Sequence, residues 1–202
     1  MRREDRFPAT CLAVYLAVWV ACAIAPLYRT DWLLENALTA VAVPTLVLTY
    51  PRFRFSDRAY LQITAFMILH AVGGHYTYSE VPLGFWLRDA LGLARNHFDR
   101  IVHFSFGLLM LRPMRELGFR NVSGLGRFGN VYFATAGVGL WSMLYEVLEW
   151  GVAALVDPQA GSAYLGTQGD EWDAQKDMAL AVLGAFLAAL FQYRPDGRAT
   201  SR

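Results

Sequence analysis

Six long apolar segments constrain this chain more than any other feature of its sequence. They cover residues 8–27, 32–50, 59–76, 96–112, 131–156 and 177–193. An α-helix needs about 20 apolar residues to cross a bilayer core of about 30 Å. Apolar and polar residues do not alternate along the segments, which argues against an outer-membrane β-barrel. The sequence therefore predicts an all-α, polytopic membrane protein with six transmembrane helices in a single integral membrane domain, residues 1–202.

The composition supports a chain whose main partner is the lipid bilayer. Hydrophobic residues make up 55% of the sequence and charged residues 17%, whereas soluble domains carry about 25% charged residues. The formal net charge is only +1, so the chain lacks the basic surplus of a nucleic-acid-binding protein. We therefore expect no nucleic-acid partner.

The basic residues predict the orientation of the six segments. If each segment spans the membrane, thirteen of the 18 basic residues lie on the side that holds the N-terminus. These are Arg2, Arg3, Arg6, Arg52, Arg54, Arg58, Arg112, Arg115, Arg120, Arg127, Arg194, Arg198 and Arg202. Cytoplasmic loops are enriched in Lys and Arg. The expected orientation therefore puts both termini in the cytoplasm.

The first segment has a second interpretation. Two arginines, an apolar run and the small residues Ala21–Cys22–Ala23 also fit a signal peptide with its cleavage site. Because this apolar stretch is long and no soluble exported domain follows it, the transmembrane interpretation is favoured. Cleavage would leave the other five segments in the same orientation.

Ionisable and polar residues cluster at the outer ends of four segments. An ionisable side chain at the centre of a membrane helix costs about 2.5–3.5 kcal/mol, so each such residue needs a partner. Helical spacing puts Asn96, Asp99 and His103 on one helix face, and Tyr145, Glu146 and Glu149 on another. The start of the last segment carries Asp170, Asp173 and Asp177. We expect these groups to converge near the outer leaflet.

A metal centre is the favoured interpretation of this cluster. Histidine and carboxylate ligands suit a divalent Zn, Mn or Fe ion, and such an ion can activate water against a lipid or cell-envelope substrate. The candidate ligands are Asp99, His103, Glu149, Asp173 and Asp177. Glu146 and Arg100 are the candidate catalytic residues, with Arg100 holding an anionic group. Residues expected to orient the ligands or contact substrate are His75, Asn96, Tyr145 and Asp170. The function predicted is a metal-dependent, hydrolytic membrane enzyme whose site faces the periplasmic leaflet.

Two other interpretations of the same residues remain open. The first is a non-catalytic membrane protein in which Arg100 neutralises Glu146 or Glu149 and the polar network locks the helices together. The second is a proton or solute transporter, since intramembrane Asp, Glu and His residues also form relays. The inner halves of the segments carry few ionisable residues, which disfavours transport.

Several strings in the sequence resemble the YjdF family of predicted bacterial inner-membrane proteins. They are Gly74–Tyr78, Arg95–His103, Arg115–Glu116, Glu146–Trp150 and Leu165–Asp177. The similarity extends over nearly the whole chain, from the first apolar segment to the last. It implies a multi-pass inner-membrane protein, and it carries over no activity, substrate or cofactor.

Overall fold

The computed structural model describes residues 3–156 and 165–192. A short 3-10 turn at Arg3–Asp5 leads into seven long or medium α-helices. They are α1 (Arg6–Ala23), α2 (Arg29–Thr49), α3 (Asp57–His75), α4 (Pro82–Leu91), α5 (Phe98–Asn121), α6 (Arg127–Leu155) and α7 (Asp173–Gln192). No strand occurs in these two ranges, so the expectation of an all-α protein is confirmed. The expected basic residues Arg2, Arg194, Arg198 and Arg202 lie outside the described residues.

Local sequence signals set several helix ends. Ser56 precedes α3, and its hydroxyl accepts a hydrogen bond from the Ala59 amide, as an N-cap serine does. Pro82 occupies the first turn of α4, where its fixed φ suits a helix and its missing N–H is no loss. Gly92 ends α4 with a φ of +63°, a left-handed conformation that costs glycine little.

Four helices of the described chain are long and apolar enough to cross a membrane. They are α1 with its preceding turn, α2, α6 and α7. The helices α3 and α5 have 19 and 24 residues and are more polar; Arg112 and Arg115, for example, lie in the second half of α5. Four such helices agree with the expected multi-pass membrane protein, while six spans and the positions of the termini stay predictions.

The helices α5 and α7 run parallel and make the tightest contact in the core. A Cβ added to Gly107 of α5 would lie 1.8 Å from the carbonyl oxygen of Ala181. A Cβ added to Gly184 of α7 would lie 2.2 Å from the carbonyl oxygen of Phe104. Ala181 and Ala185 between them are fully buried. Small residues of this kind let helix backbones approach closely.

This contact sets the level of the polar residues. His103 lies one turn before Gly107, and Asp177 lies one turn before Ala181, so the two polar side chains start at the same height. Helix α6 runs antiparallel to α5, because Glu146 contacts His103 while Asn130, near the other end of α6, contacts Arg115. The fold thus gathers the first turns of α5 and α7 with the second half of α6.

We expect Gly107→Ala and Gly184→Ala to destabilise the protein, because each new Cβ meets backbone that cannot rotate away. Overpacking of this kind costs about 1–3 kcal/mol. The measurement is the thermal unfolding midpoint of the purified protein in detergent. Gly151→Ala in α6 is the matched control, since its Cβ would meet nothing within 4 Å. Equal midpoints for all three variants would contradict a backbone contact between α5 and α7.

Candidate functional site

A cluster of imidazole and carboxylate groups joins α5, α6 and α7. His103 Nε2 lies 3.6 Å from Asp99 Oδ1 and 3.3 Å from Glu146 Oε1. One ligand atom each from Asp99, His103 and Asp177 lies within 4.8 Å of the other two. We refer to Asp99, His103, Glu146 and Asp177 as the acid–imidazole cluster. Four of the residues expected to meet therefore do so.

The burial of this cluster is unusual for such polar groups. His103 is 7% exposed and Asp177 is 2% exposed. The Oδ1 atom of Asp177 is buried and has no hydrogen-bond partner among the residues that the structure describes. An unsatisfied buried acceptor costs about 1–3 kcal/mol. Asp177 Oδ1 is therefore an acceptor that no side chain or backbone group of residues 3–156 and 165–192 satisfies.

Glu35 in α2 is a buried acid that the sequence interpretation missed. It is 4% exposed, and its Oε2 accepts a 2.8 Å hydrogen bond from the Tyr145 hydroxyl. The Tyr145 ring in turn packs edge-on against His103, with ring centroids 6.0 Å apart. Tyr145 thus connects Glu35 to the acid–imidazole cluster. The available signal was an acid inside the apolar segment 32–50.

The chain around Glu35 is shaped to hold this acid. The lack of a side chain at Gly74 makes room for it, because a Cβ there would lie 3.1 Å from the Glu35 Cβ. His70 Nε2 donates a 3.1 Å hydrogen bond to the Glu35 carbonyl oxygen. Since a carbonyl can only accept, this ring nitrogen carries the proton, and His70 Nδ1 accepts from the Tyr78 hydroxyl at 2.5 Å. The contacts fix α2 against α3 at the level of the site.

Six carboxyl groups at this level form no ion pair with Arg or Lys within residues 3–156 and 165–192. They are Asp31, Glu35, Asp99, Glu146, Glu149 and Asp177. Asp31 accepts a 3.0 Å hydrogen bond from the Thr77 hydroxyl. Ionised carboxylates without counter-charges are very costly in a low-dielectric interior. This end of the bundle therefore has to hold protons, a cation or both.

The arginines near the site are used in a separate ionic network. Arg95 contacts both oxygens of Asp173, at 2.6 and 3.2 Å, and Arg100 Nη2 lies 3.1 Å from Asp173 Oδ1. Arg100 also pairs with Asp170. The sequence interpretation put Arg100 and Asp173 at the metal centre, whereas the closest contacts of both lie in this network. It fastens the start of α7 to the start of α5.

Asp170 precedes α7 and lies outside the apolar segments. Lys176 Nζ lies 2.8 and 2.6 Å from its two carboxylate oxygens. The hydrogen bond from this ammonium is the main cause that lowers the pKa of Asp170 to about 2. Asp170 is therefore an ionised partner of Lys176 and Arg100 at neutral pH; Arg95 Nη1 lies 3.8 Å from its Oδ2, and the Trp172 amide donates to its Oδ1.

Two other expected site residues, His75 and Asn96, form hydrogen bonds with the backbone near helix ends. His75 Nδ1 donates a 2.8 Å hydrogen bond to the Cys22 carbonyl oxygen, which ties the end of α3 to the end of α1. Asn96 is 1% exposed; its amide donates to the Val81 carbonyl at 3.0 Å and its Oδ1 accepts from the Phe98 amide at 3.0 Å. In the described ranges, these side chains have their hydrogen bonds away from the acid–imidazole cluster.

Glu149, which was expected to be a metal ligand, lies one turn after Tyr145 on α6 and is half-buried.

Comparisons with known proteins agree with the resemblance seen in the sequence. A family model described as "Predicted membrane protein (DUF2238)" matches residues 7–197. The chain is 37% identical over 166 residues to the inner membrane protein YjdF of Escherichia coli (strain K12), which covers 82% of this chain and 79% of that protein. No solved structure matches the chain. With the four apolar helices, these matches assign the chain to the inner membrane.

We expect Arg95→Ala to destabilise the protein by about 3 kcal/mol, because the buried Asp173 carboxylate loses its contacts with Arg95 and keeps Arg100 as a basic partner on one oxygen. The Arg95 and Asp173 side chains are only 10% and 6% exposed. The measurement is the free energy of unfolding in detergent. Arg88→Ala is the matched control, since Arg88 and Asp89 are 37% and 68% exposed and such pairs contribute at most about 1 kcal/mol. Similar losses for the two variants would contradict a stabilising role for the network.

Proposed function

The chain belongs to the DUF2238 family of predicted membrane proteins, and on that premise we propose that it is a metal-dependent hydrolytic enzyme of the inner membrane. The acid–imidazole cluster is the proposed centre, and it faces the periplasmic leaflet. The proposed substrate is a lipid or another molecule of the cell envelope. The observation that carries the proposal is the meeting of Asp99, His103 and Asp177 within 4.8 Å.

The chemistry of the donor atoms supports a divalent ion. One imidazole and several carboxylates form a set that suits Zn, Mn or Fe, and no thiol contributes. Ligand atoms at about 2.0–2.2 Å from one ion lie within about 4 Å of one another, so the three side chains need only small adjustments. The unsatisfied Oδ1 of Asp177 favours a bound cation, as does the lack of Arg or Lys partners for the carboxyls in the described part of the chain.

The remaining residues have distinct proposed roles. A divalent ion held there would supply a water acidic enough to act as a nucleophile at neutral pH. Glu146, 3.3 Å from His103, is the proposed general base. Tyr145 and Glu35 are hydrogen-bonded to each other and form the side of the proposed site next to α2. Arg100 has a buried Nε without a partner in the described chain, and this N–H is the group assigned to an anionic substrate or a ligand carboxylate. Glu149 and Asp173 remain proposed ligands that reach the ion only after side-chain rotation.

Six spans with both termini in the cytoplasm complete the proposal. Contacts along successive long helices support it: Tyr15 of α1 meets Thr39 of α2, Asp31 at the start of α2 meets Thr77 just after α3, and Ser56 just before α3 meets Glu116 near the end of α5. The last two contacts bring the start of one helix to the end of another, as in helices that run in opposite directions. The parallel start of α5 and α7 then puts the cluster on the side opposite to the arginine-rich loops.

A non-catalytic membrane protein is the second candidate function. The ionic network of Arg95, Arg100, Asp170 and Asp173 favours it, because this network already locks α5 to α7. In that case the acid–imidazole cluster holds protons and only joins the helices. The two candidates differ in whether a metal ion is retained.

We expect the purified full-length protein to contain about one Zn, Mn or Fe ion per chain, measured by inductively coupled plasma mass spectrometry. His103→Ala and Asp177→Asn should abolish the metal, because each removes a ligand. His75→Ala is the matched control and should retain it, since this imidazole bonds the Cys22 carbonyl. Absence of metal from a folded wild-type protein would exclude the enzyme and favour the non-catalytic candidate.

The proposed orientation predicts which loops a membrane-impermeant maleimide can reach. In a background without the native cysteines, Glu80→Cys in an outer loop should react in intact spheroplasts. Ser123→Cys in the α5–α6 loop should react only after permeabilisation, because it lies on the cytoplasmic side. Both positions are exposed. The reverse pattern of labelling would invert the topology, and equal labelling would contradict opposite sides.

A further inference from the structure

A long cleft separates α1 from α2. One cavity of about 250 Å³ lies between α1, α2 and α3, near Asp5 and Tyr50. A second cavity of about 500 Å³ lies between α1 and α2, near Trp19 and Trp32. Tyr15 and Val43 line both cavities. The two cavities therefore form one cleft that follows most of this helix pair.

The polar groups in the cleft are already paired with one another. The hydroxyls of Tyr15 and Thr39 lie 3.2 Å apart, and Trp19 Nε1 donates a hydrogen bond to Asn36 Oδ1. The other walls are largely apolar, with Leu12, Leu46 and Val47 among them. A buried water needs two to four polar partners, so apolar cavities of this kind stay dry.

The surroundings of the cleft determine what can fill it. Both α1 and α2 are long and apolar enough to cross a membrane, so the cleft lies among the hydrocarbon chains of the inner membrane. Its lining atoms lose dispersion contacts if the space stays empty. The bilayer surrounds the cleft with flexible hydrocarbon chains, and such a chain can fill a cleft with apolar walls.

One end of the cleft carries a surplus of positive charge. Tyr50 donates a 2.6 Å hydrogen bond to Asp5, which brings the start of α1 next to the loop after α2. Exposed arginines flank this contact in the sequence: Arg3 and Arg6 beside Asp5, and Arg52 and Arg58 in the segment after Tyr50. Basic residues at a membrane surface attract anionic headgroups. Arg54 is not counted among them, because its guanidinium donates hydrogen bonds to the Glu4 carbonyl and the Asp57 carboxylate.

We propose that the cleft between α1 and α2 binds one acyl chain of an anionic phospholipid, with its headgroup on the arginines beside Asp5 and Tyr50. The arginines at this end of the cleft favour an anionic headgroup, and the apolar walls favour a hydrocarbon chain. This lipid site shares no residue with the proposed metal centre. The two proposals therefore succeed or fail separately.

The test is native mass spectrometry of the full-length, delipidated protein in detergent, titrated with phosphatidylglycerol. Val43→Trp fills the cleft and should weaken binding about ten-fold. Val41→Trp is the matched control on the same helix, and it should bind like the wild type because Val41 is 67% exposed and lines neither cavity. Equal binding by a folded Val43→Trp variant would overturn the proposal.

The headgroup is tested with a second lipid and a second pair of variants. Phosphatidylcholine should bind about ten-fold more weakly than phosphatidylglycerol, and Arg52→Gln combined with Arg58→Gln should remove that preference. Arg88→Gln, which lies on α4, should keep it. Equal binding of both lipids by the wild type would overturn the proposed anionic selectivity.

A measurement without any substitution covers the case in which the tryptophan variant does not fold. Phosphatidylglycerol with a diazirine in the middle of its chain is photolysed on the wild-type protein. Crosslinks should map to Leu12, Tyr15 or Val43, which face the cleft. Crosslinks confined to outward-facing residues such as Val41 and Leu48, 67% and 72% exposed, would overturn the proposal.

Discussion

The close approach of α5 and α7 is the constraint on which the rest of the site depends. Gly107 and Gly184 let the two backbones meet with no side chain between them. In a lipid environment helices gain little from the hydrophobic effect between themselves, so close packing of small residues drives their association. Because the contact lies one turn below His103 and Asp177, it brings their two side chains together. Any separation of these helices would also open the acid–imidazole cluster.

Charge is distributed unevenly between two layers at this end of the bundle. The outer layer pairs Arg95, Arg100 and Lys176 with Asp170 and Asp173, so both of its carboxylates have basic partners. The inner layer holds carboxyls with one imidazole beside them, and no Arg or Lys pairs with them in the described chain. A buried excess of carboxylates is retained only if protons or a cation accompany it. This asymmetry favours a metal centre in the inner layer, next to the ion-paired outer layer.

The sequence predicted part of this site, and the reasons for its omissions are physical. Asp99 and His103 share a helix face by their four-residue spacing, and Glu146 was expected from its depth in the fifth apolar segment. Asp173 was expected as a ligand because it precedes Asp177 by one turn, yet both arginines reach it first. Glu35 was missed because it lies inside the second apolar segment, where the local sequence does not show which helix its side chain meets. Its role depends on Tyr145, which is 110 residues away in the chain.

Hydrophobic length and helical period, which are local properties, determined by themselves that this chain is all-α, lies in a membrane and carries its polar groups towards one end. The cost of burying charge also predicted that these groups need partners. Only the tertiary structure decided which partner each group has, because that choice depends on distances of a few ångströms between helices. The glycine contact of α5 and α7 sets those distances. As a result, Asp173 pairs with Arg95 and Arg100, while Asp177 lies close to His103.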